Sequence, residues 1–121
     1  MAAKIRKMDS VAKHRAIIRE LVQYIASIVP SDENVETQLI MDDERGHYLL
    51  YSVGWENEDY RECSSFAHID LKPDGKVWIQ HDGTDLKIAL LLAEKGISKS
   101  DIVLGFRAPY RRKLMPEFAE A

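Results

Sequence analysis

The sequence is poor in the features that mark specialised architectures. Its 121 residues include one cysteine, Cys63, so an internal disulfide is impossible and a multi-cysteine zinc or iron–sulfur site is excluded. Six glycines and four prolines are too few for a collagenous or low-complexity chain. No apolar run approaches the roughly 20 residues needed to cross a bilayer; Ile88 to Ala93 is the longest in the second half. The basic N-terminal segment lacks an apolar stretch with a cleavage site, so no membrane or export signal is expected and a reducing cytoplasm fits best. What remains, 45% hydrophobic and 31% charged residues, is the composition of an ordinary globular protein. The length predicts a single domain over 1–121, with 1–8 as a flexible extension.

A net charge of −3 conceals a division along the chain. Residues 1–30 carry six basic and two acidic side chains, 31–106 carry seven and sixteen, and 107–121 carry four and two. Sequence-independent DNA affinity comes mainly from Lys and Arg neutralising phosphates, so the acidic middle is a poor duplex-binding surface. Only the ends could touch DNA directly, above all Arg107, Arg111, Arg112 and Lys113 in the tail. Basic ends that meet an acidic middle within one fold, or across a dimer, explain the same pattern without nucleic acid.

Val11, Ile18, Leu21, Val22, Ile25, Ile28 and Val29 recur at helical intervals and predict one long amphipathic helix over Asp9 to Val29. Asp9 or Ser10 can cap its start and Pro30 ends it. The opposite side carries Lys13, His14, Arg15 and Arg19. Four β-rich runs follow: Val35 to Met41, His47 to Trp55, Glu62 to Lys72 and Lys76 to His81. The separators are too short for crossover helices, so the strands should pair as an antiparallel meander, with Pro73-Asp74-Gly75 the clearest turn. Asp82-Gly83-Thr84 offers a turn and a cap for a second helix, which is expected to end near Gly96. A helical turn is expected from Ser98 and Asp101, and an irregular tail after Arg107. The expected class is α+β: a long helix on a four-stranded antiparallel meander, then a second helix and the tail. Exposed strand edges make self-association into a homo-oligomer expected.

If Lys72 faces Lys76 across the Pro73 turn, Asp70 lies opposite Trp78 and His68 opposite Gln80. One face then displays Phe66, His68, Asp70, Trp78, Gln80 and Asp82, while Ala67, Ile69, Leu71, Val77 and Ile79 meet the helices. A histidine beside carboxylates suits acid–base chemistry or metal ligation, with His47 and His81 as further nitrogen donors. No H-E-x-x-H motif or ligand pair on one helix accompanies them, so neither a metal nor another cofactor is expected. A partner surface through His68, Asp70, Trp78, Gln80 and Asp82 is the leading reading. The competing one is a small-molecule-binding or hydrolytic face built on His68, Asp70 and Asp82. Cys63 reads as a partly buried thiol and Asp42-Asp43-Glu44 as a solvated turn. No glycine-rich phosphate loop is present, and no catalytic residue is assigned.

Several ordered motifs nevertheless carry a resemblance. Val53-Gly54-Trp55, His68-Ile69-Asp70-Leu71-Lys72, Gly75-Lys76-Val77-Trp78-Ile79-Gln80, Asp82-Gly83-Thr84 and Asp101-Ile102-Val103-Leu104-Gly105-Phe106 together resemble the XisI-like family of fdxN element excision controlling factors, found mainly in cyanobacteria. The likeness extends through His47-Tyr48-Leu49 to Pro109 and Phe118-Ala119. His81 departs from the family pattern, which often has another polar residue there. The resemblance implies a small α+β accessory protein without catalytic activity of its own. It implies action with an XisH-like, nuclease-type companion and a site-specific recombinase, in removing a DNA element during heterocyst differentiation or in a related paired system. DNA would be contacted at most indirectly.

Overall fold

The computed structural model describes residues 2–30 and 32–121, with side chains from Ser10 onward. The first helix, α1, runs from Ala2 to Ile28. Asp9 and Ser10 therefore lie inside it and residues 2–8, expected as an extension, continue it: Ala, Lys, Arg and Met are strong helix formers and outweigh the capping signal. Ile18, Leu21, Val22 and Ile25 are each at most 1% exposed and form the stripe that faces the sheet. His14 extends this stripe instead of lying on the polar side. It is buried, and its Nδ1 hydrogen-bonds to the Gly75 carbonyl at 2.7 Å, which ties α1 to the turn beneath it.

Strands β1 (Val35–Asp42), β2 (His47–Trp55), β3 (Arg61–Leu71) and β4 (Val77–Asp82) form the antiparallel meander. A fifth strand, β5 (Ile102–Leu104), pairs parallel to β4, so the sheet is mixed, in the order β1-β2-β3-β4-β5. The parallel pairing requires a crossover, which α2 (Ile88–Glu94) and a 3₁₀ turn at Lys99–Asp101 supply. α2 stops at Gly96, whose φ is +116°. The Gly96 and Ile97 amides return to the Ala93 and Leu92 carbonyls, and buried Ile97 seals this Schellman end. The expected helical turn forms at Lys99–Asp101, although the Ser98 side chain makes no capping bond there. The tail is less irregular than expected, because Pro109 opens a short helix α3 (Pro109–Arg112) with its preset φ.

Helices cover one face of the sheet. Tyr48, Leu50, Ala67, Ile69, Val77, Ile79 and Ile102 point into the core against α1 and α2. Two bulges set what lies where. At β2/β3 the register slips between Leu50 and Tyr51, leaving Phe66 as the extra residue. Phe66 consequently packs against the core instead of joining the outer face. At β3/β4 the slip falls between His68 and Ile69, so His68 pairs with His81 and Ala67 with Asp82, and Gln80 is the extra residue. Asp70 faces Trp78 as the turn predicts. The slip overturns the expected pairing of His68 with Gln80, because one inserted residue exchanges the faces of everything beyond it.

The charge division is partly resolved inside the fold. Arg19 on α1 meets Asp43 in the β1–β2 turn at 2.8 Å, and Tyr48 donates to the other oxygen of Asp43 at 2.9 Å. The Tyr48 hydrogen bond, seconded by Arg19, holds the Asp43 carboxyl below its ordinary value. Burial and the same carboxylate push the Tyr48 phenol up to about 12. Asp42-Asp43-Glu44 is thus a turn with one residue recruited to the helix. Among the described residues no helix is long and apolar enough to cross a membrane.

Candidate functional site

The face of the sheet opposite the helices carries a compact polar cluster where β2 begins and β3 ends. Alternation along β3 puts His68 and Asp70 on this face, and antiparallel pairing sets His47 of β2 directly across from Asp70. Asp70 is 6% exposed. Its Oδ1 accepts from His47 Nδ1 at 2.7 Å and from His68 Nε2 at 2.8 Å, while Oδ2 accepts from Gln80 Nε2 at 3.0 Å. A carboxylate only accepts, so each imidazole carries a proton on the nitrogen turned to Asp70. Burial by itself raises the Asp70 pKa. The hydrogen bonds from His47, Gln80 and His68 outweigh that and leave the carboxyl below its ordinary value.

The structure therefore brings together four residues of the expected face, His68, Asp70, Trp78 and Gln80, and adds His47, whose pairing with Asp70 depended on the β2–β3 register. Asp82 does not join them. The β4 bulge turns it to the helix side, where it accepts from the Ile88 amide at 2.9 Å and from the Thr84 amide and hydroxyl. It is a cap that starts α2. His81 takes the place on the outer side and is exposed. Cys63, read as partly buried, is exposed and lies opposite Val53.

The four tail cations behave differently from one another. Arg107, Arg111 and Lys113 are exposed. Arg112 turns inward: its guanidinium stacks over the Trp78 ring at 5.5 Å and donates to the carbonyls of Arg107 and Glu120 at 2.7 and 2.6 Å. Ala119 then bridges to Val103 of β5 in parallel, and Phe118 enters the core. The tail accordingly roofs the Trp78 end of the outer face and leaves the β1–β3 end open.

Comparison with known proteins agrees with this architecture. The sequence model described as XisI protein matches residues 8–120. The chain belongs to the XisI family. Two solved structures from Anabaena variabilis ATCC 29413 are similar to it. One, an XisI-like protein, is 39% identical, with a TM-score of 0.85 over 92% of this chain and 99% of its own. The other, named fdxN element excision controlling factor XisI, is 32% identical, with a TM-score of 0.79 over 93% and 99%. No curated protein matches. The XisI match runs through the tail, so the Arg112 clasp falls inside the matched span. Arg112→Ala should destabilise the protein by about 1–2 kcal/mol, from the lost cation–π contact and two charge-assisted bonds. In a Trp55→Phe background it should also shift Trp78 emission to longer wavelength. An unchanged urea midpoint and spectrum would mean that the tail holds without the clasp.

Proposed function

We propose that this member of the XisI family is a non-enzymatic controlling factor. It docks on an XisH-like, nuclease-type companion and, with a site-specific recombinase, limits or directs the removal of a DNA element, in heterocyst differentiation or a related paired system. The observation that carries this reading is the uncovered β1–β3 face. Ile40 stands exposed there and Leu49 and Tyr51 half-exposed, next to Glu36; Trp55 is exposed at the edge with the Arg61 guanidinium over its ring, and Asp42 is paired with Arg45. An apolar and aromatic centre whose arginines are engaged with Trp55 and Asp42 suits a protein surface better than it suits DNA. The 32%-identical neighbour named as an excision controlling factor supports the same role. With the tail cation Arg112 committed to Trp78, direct DNA binding by the tail has less to work with.

Co-expression with the XisH-like protein encoded nearest to it, followed by size-exclusion chromatography with light scattering and a nuclease assay, tests the proposal. The expected result is a stoichiometric complex with altered cleavage. Leu49→Glu together with Tyr51→Glu should weaken the complex about tenfold or more, as for a buried anchor, with the circular dichroism spectrum intact. No complex with the wild-type chain, or a complex indifferent to both substitutions, would overturn the docking reading.

A further inference from the structure

We propose that His47 Nδ1, His68 Nε2 and Asp70 Oδ1 form a binding site for a first-row divalent metal ion of the zinc class. The three atoms lie within 4.8 Å of one another, and all three residues stand on two adjacent interior strands, His47 at the start of β2 and His68 and Asp70 on β3. Such strands hold ligands more firmly than loops do. The two imidazole rings meet at 74° with centroids 6.2 Å apart. The rings are therefore not stacked on one another, and two nitrogens and one oxygen gather at a single point of the face.

The electrostatics favour a cation. Asp70 is buried, yet among the described residues no Lys or Arg pairs with it; its partners are two imidazoles and an amide. Three hydrogen bonds keep this carboxylate ionised despite its burial, so a full negative charge stands beside two imidazoles with no fixed cation, and a divalent ion would supply that positive charge. Nitrogen and carboxylate donors together suit zinc and its neighbours in the first row better than magnesium or calcium. With bonds of about 2.0–2.1 Å, tetrahedral ligand atoms stand about 3.4 Å apart. The imidazoles must therefore draw back from Oδ1 by roughly half an ångström to admit the ion.

Each histidine must also move its proton to its other nitrogen. His47 Nε2 and His68 Nδ1 make no hydrogen bond among the described residues, so nothing blocks that exchange. The His47 and His68 side chains are 44% and 31% exposed, which leaves the remaining coordination positions to water on the open face. Gln80 holds Oδ2 and so orients Oδ1 toward the ion, as outer partners of metal ligands do. The site does not depend on the docking reading, since its ligands all come from one chain.

Chelator-stripped full-length protein titrated with Zn²⁺ by calorimetry, and with Co²⁺ by visible absorption, should bind one saturating ion per chain. His47→Gln with His68→Gln should abolish saturable binding, Gln80→Leu should weaken it about 10–100-fold, and His81→Gln should leave it unchanged. Long-range ¹⁵N NMR of the wild-type imidazoles covers the case in which the double variant does not fold: Zn²⁺ should shift His47 Nδ1 and His68 Nε2. Absence of saturable binding, binding retained in the folded double variant, or shifts confined to His14 or His81 would each overturn the assignment.

Discussion

Gly46→Ala is expected to lower the free energy of unfolding by about 2–4 kcal/mol, a large part of the 5–15 kcal/mol typical of a domain this size. Gly46 has φ +76°, and a β-carbon built there would stand 2.2 Å from the Leu71 carbonyl oxygen. That oxygen belongs to the backbone, so no side chain can turn aside to relieve the clash. Gly46 also receives the Leu71 amide on its own carbonyl and donates to the Asp42 carbonyl, both at 2.8 Å. It thus locks the β1–β2 turn to the end of β3. His47 is the next residue, and its distance to Asp70 is set by this lock. Urea unfolding should show the loss, and the His47 imidazole should no longer register against Asp70 in NMR. A midpoint shift worth less than about 0.5 kcal/mol, the range of an ordinary surface change, would show that the turn relaxes freely.

Asp70→Asn should cost about 1–3 kcal/mol at neutral pH, because three donors converge on a group that then has a single acceptor oxygen. The pH dependence separates this from a simple packing defect. Hydrogen bonding holds the native Asp70 carboxyl below its ordinary value despite its burial. The carboxylate therefore contributes stability that is fully present above the unfolded-state value of about 4 and is lost as pH falls through the lower folded value. The gap between wild type and Asp70→Asn should narrow below about pH 4, where the wild-type carboxylate takes up its proton. Urea midpoints measured for both chains at neutral, mildly acidic and strongly acidic pH check it. A gap that stays constant to the acid limit would assign the cost to shape alone.

Much of the fold is legible because its signals are local. Between turn residues the stretch from Val35 to His81 falls into β-rich runs, and β2 begins at His47 and ends at Trp55 as its run predicts. His68 and Asp70 share a face whatever the register, since they are two apart on one strand. Asp70 meets Trp78 because Pro73 and Gly75 fix the nearest turn. Beyond that, register is a matter of packing. Nothing at Gln80 marks a bulge in the sequence, yet the bulge there takes Asp82 from the outer face, so that of its two legible roles, outer-face residue and turn cap, it keeps the second. The β2–β3 loop leaves the partner of His47 undetermined, so its place beside Asp70 becomes visible only in the fold. β5 escapes notice because three residues carry no periodicity, and their parallel pairing is decided by a crossover. His14 is hidden for another reason: a polar residue on a buried stripe is legible as core only when its acceptor, the Gly75 carbonyl, is known.

The tail's bridge to β5 also gives the sheet a polarity. Val103 meets Ala119, and the Ala119 amide is bonded to the Ile102 carbonyl at 2.9 Å, so one margin of the sheet is already taken by the chain itself. β1 is the margin left open. Growth of an endless cross-strand stack needs two free margins on every copy, one to receive and one to offer. A second copy adding by strand pairing would find β1 as the longer open margin. The last few residues therefore act as a guard on one side of the sheet, placing the chain's own backbone where a neighbour's strand would otherwise add.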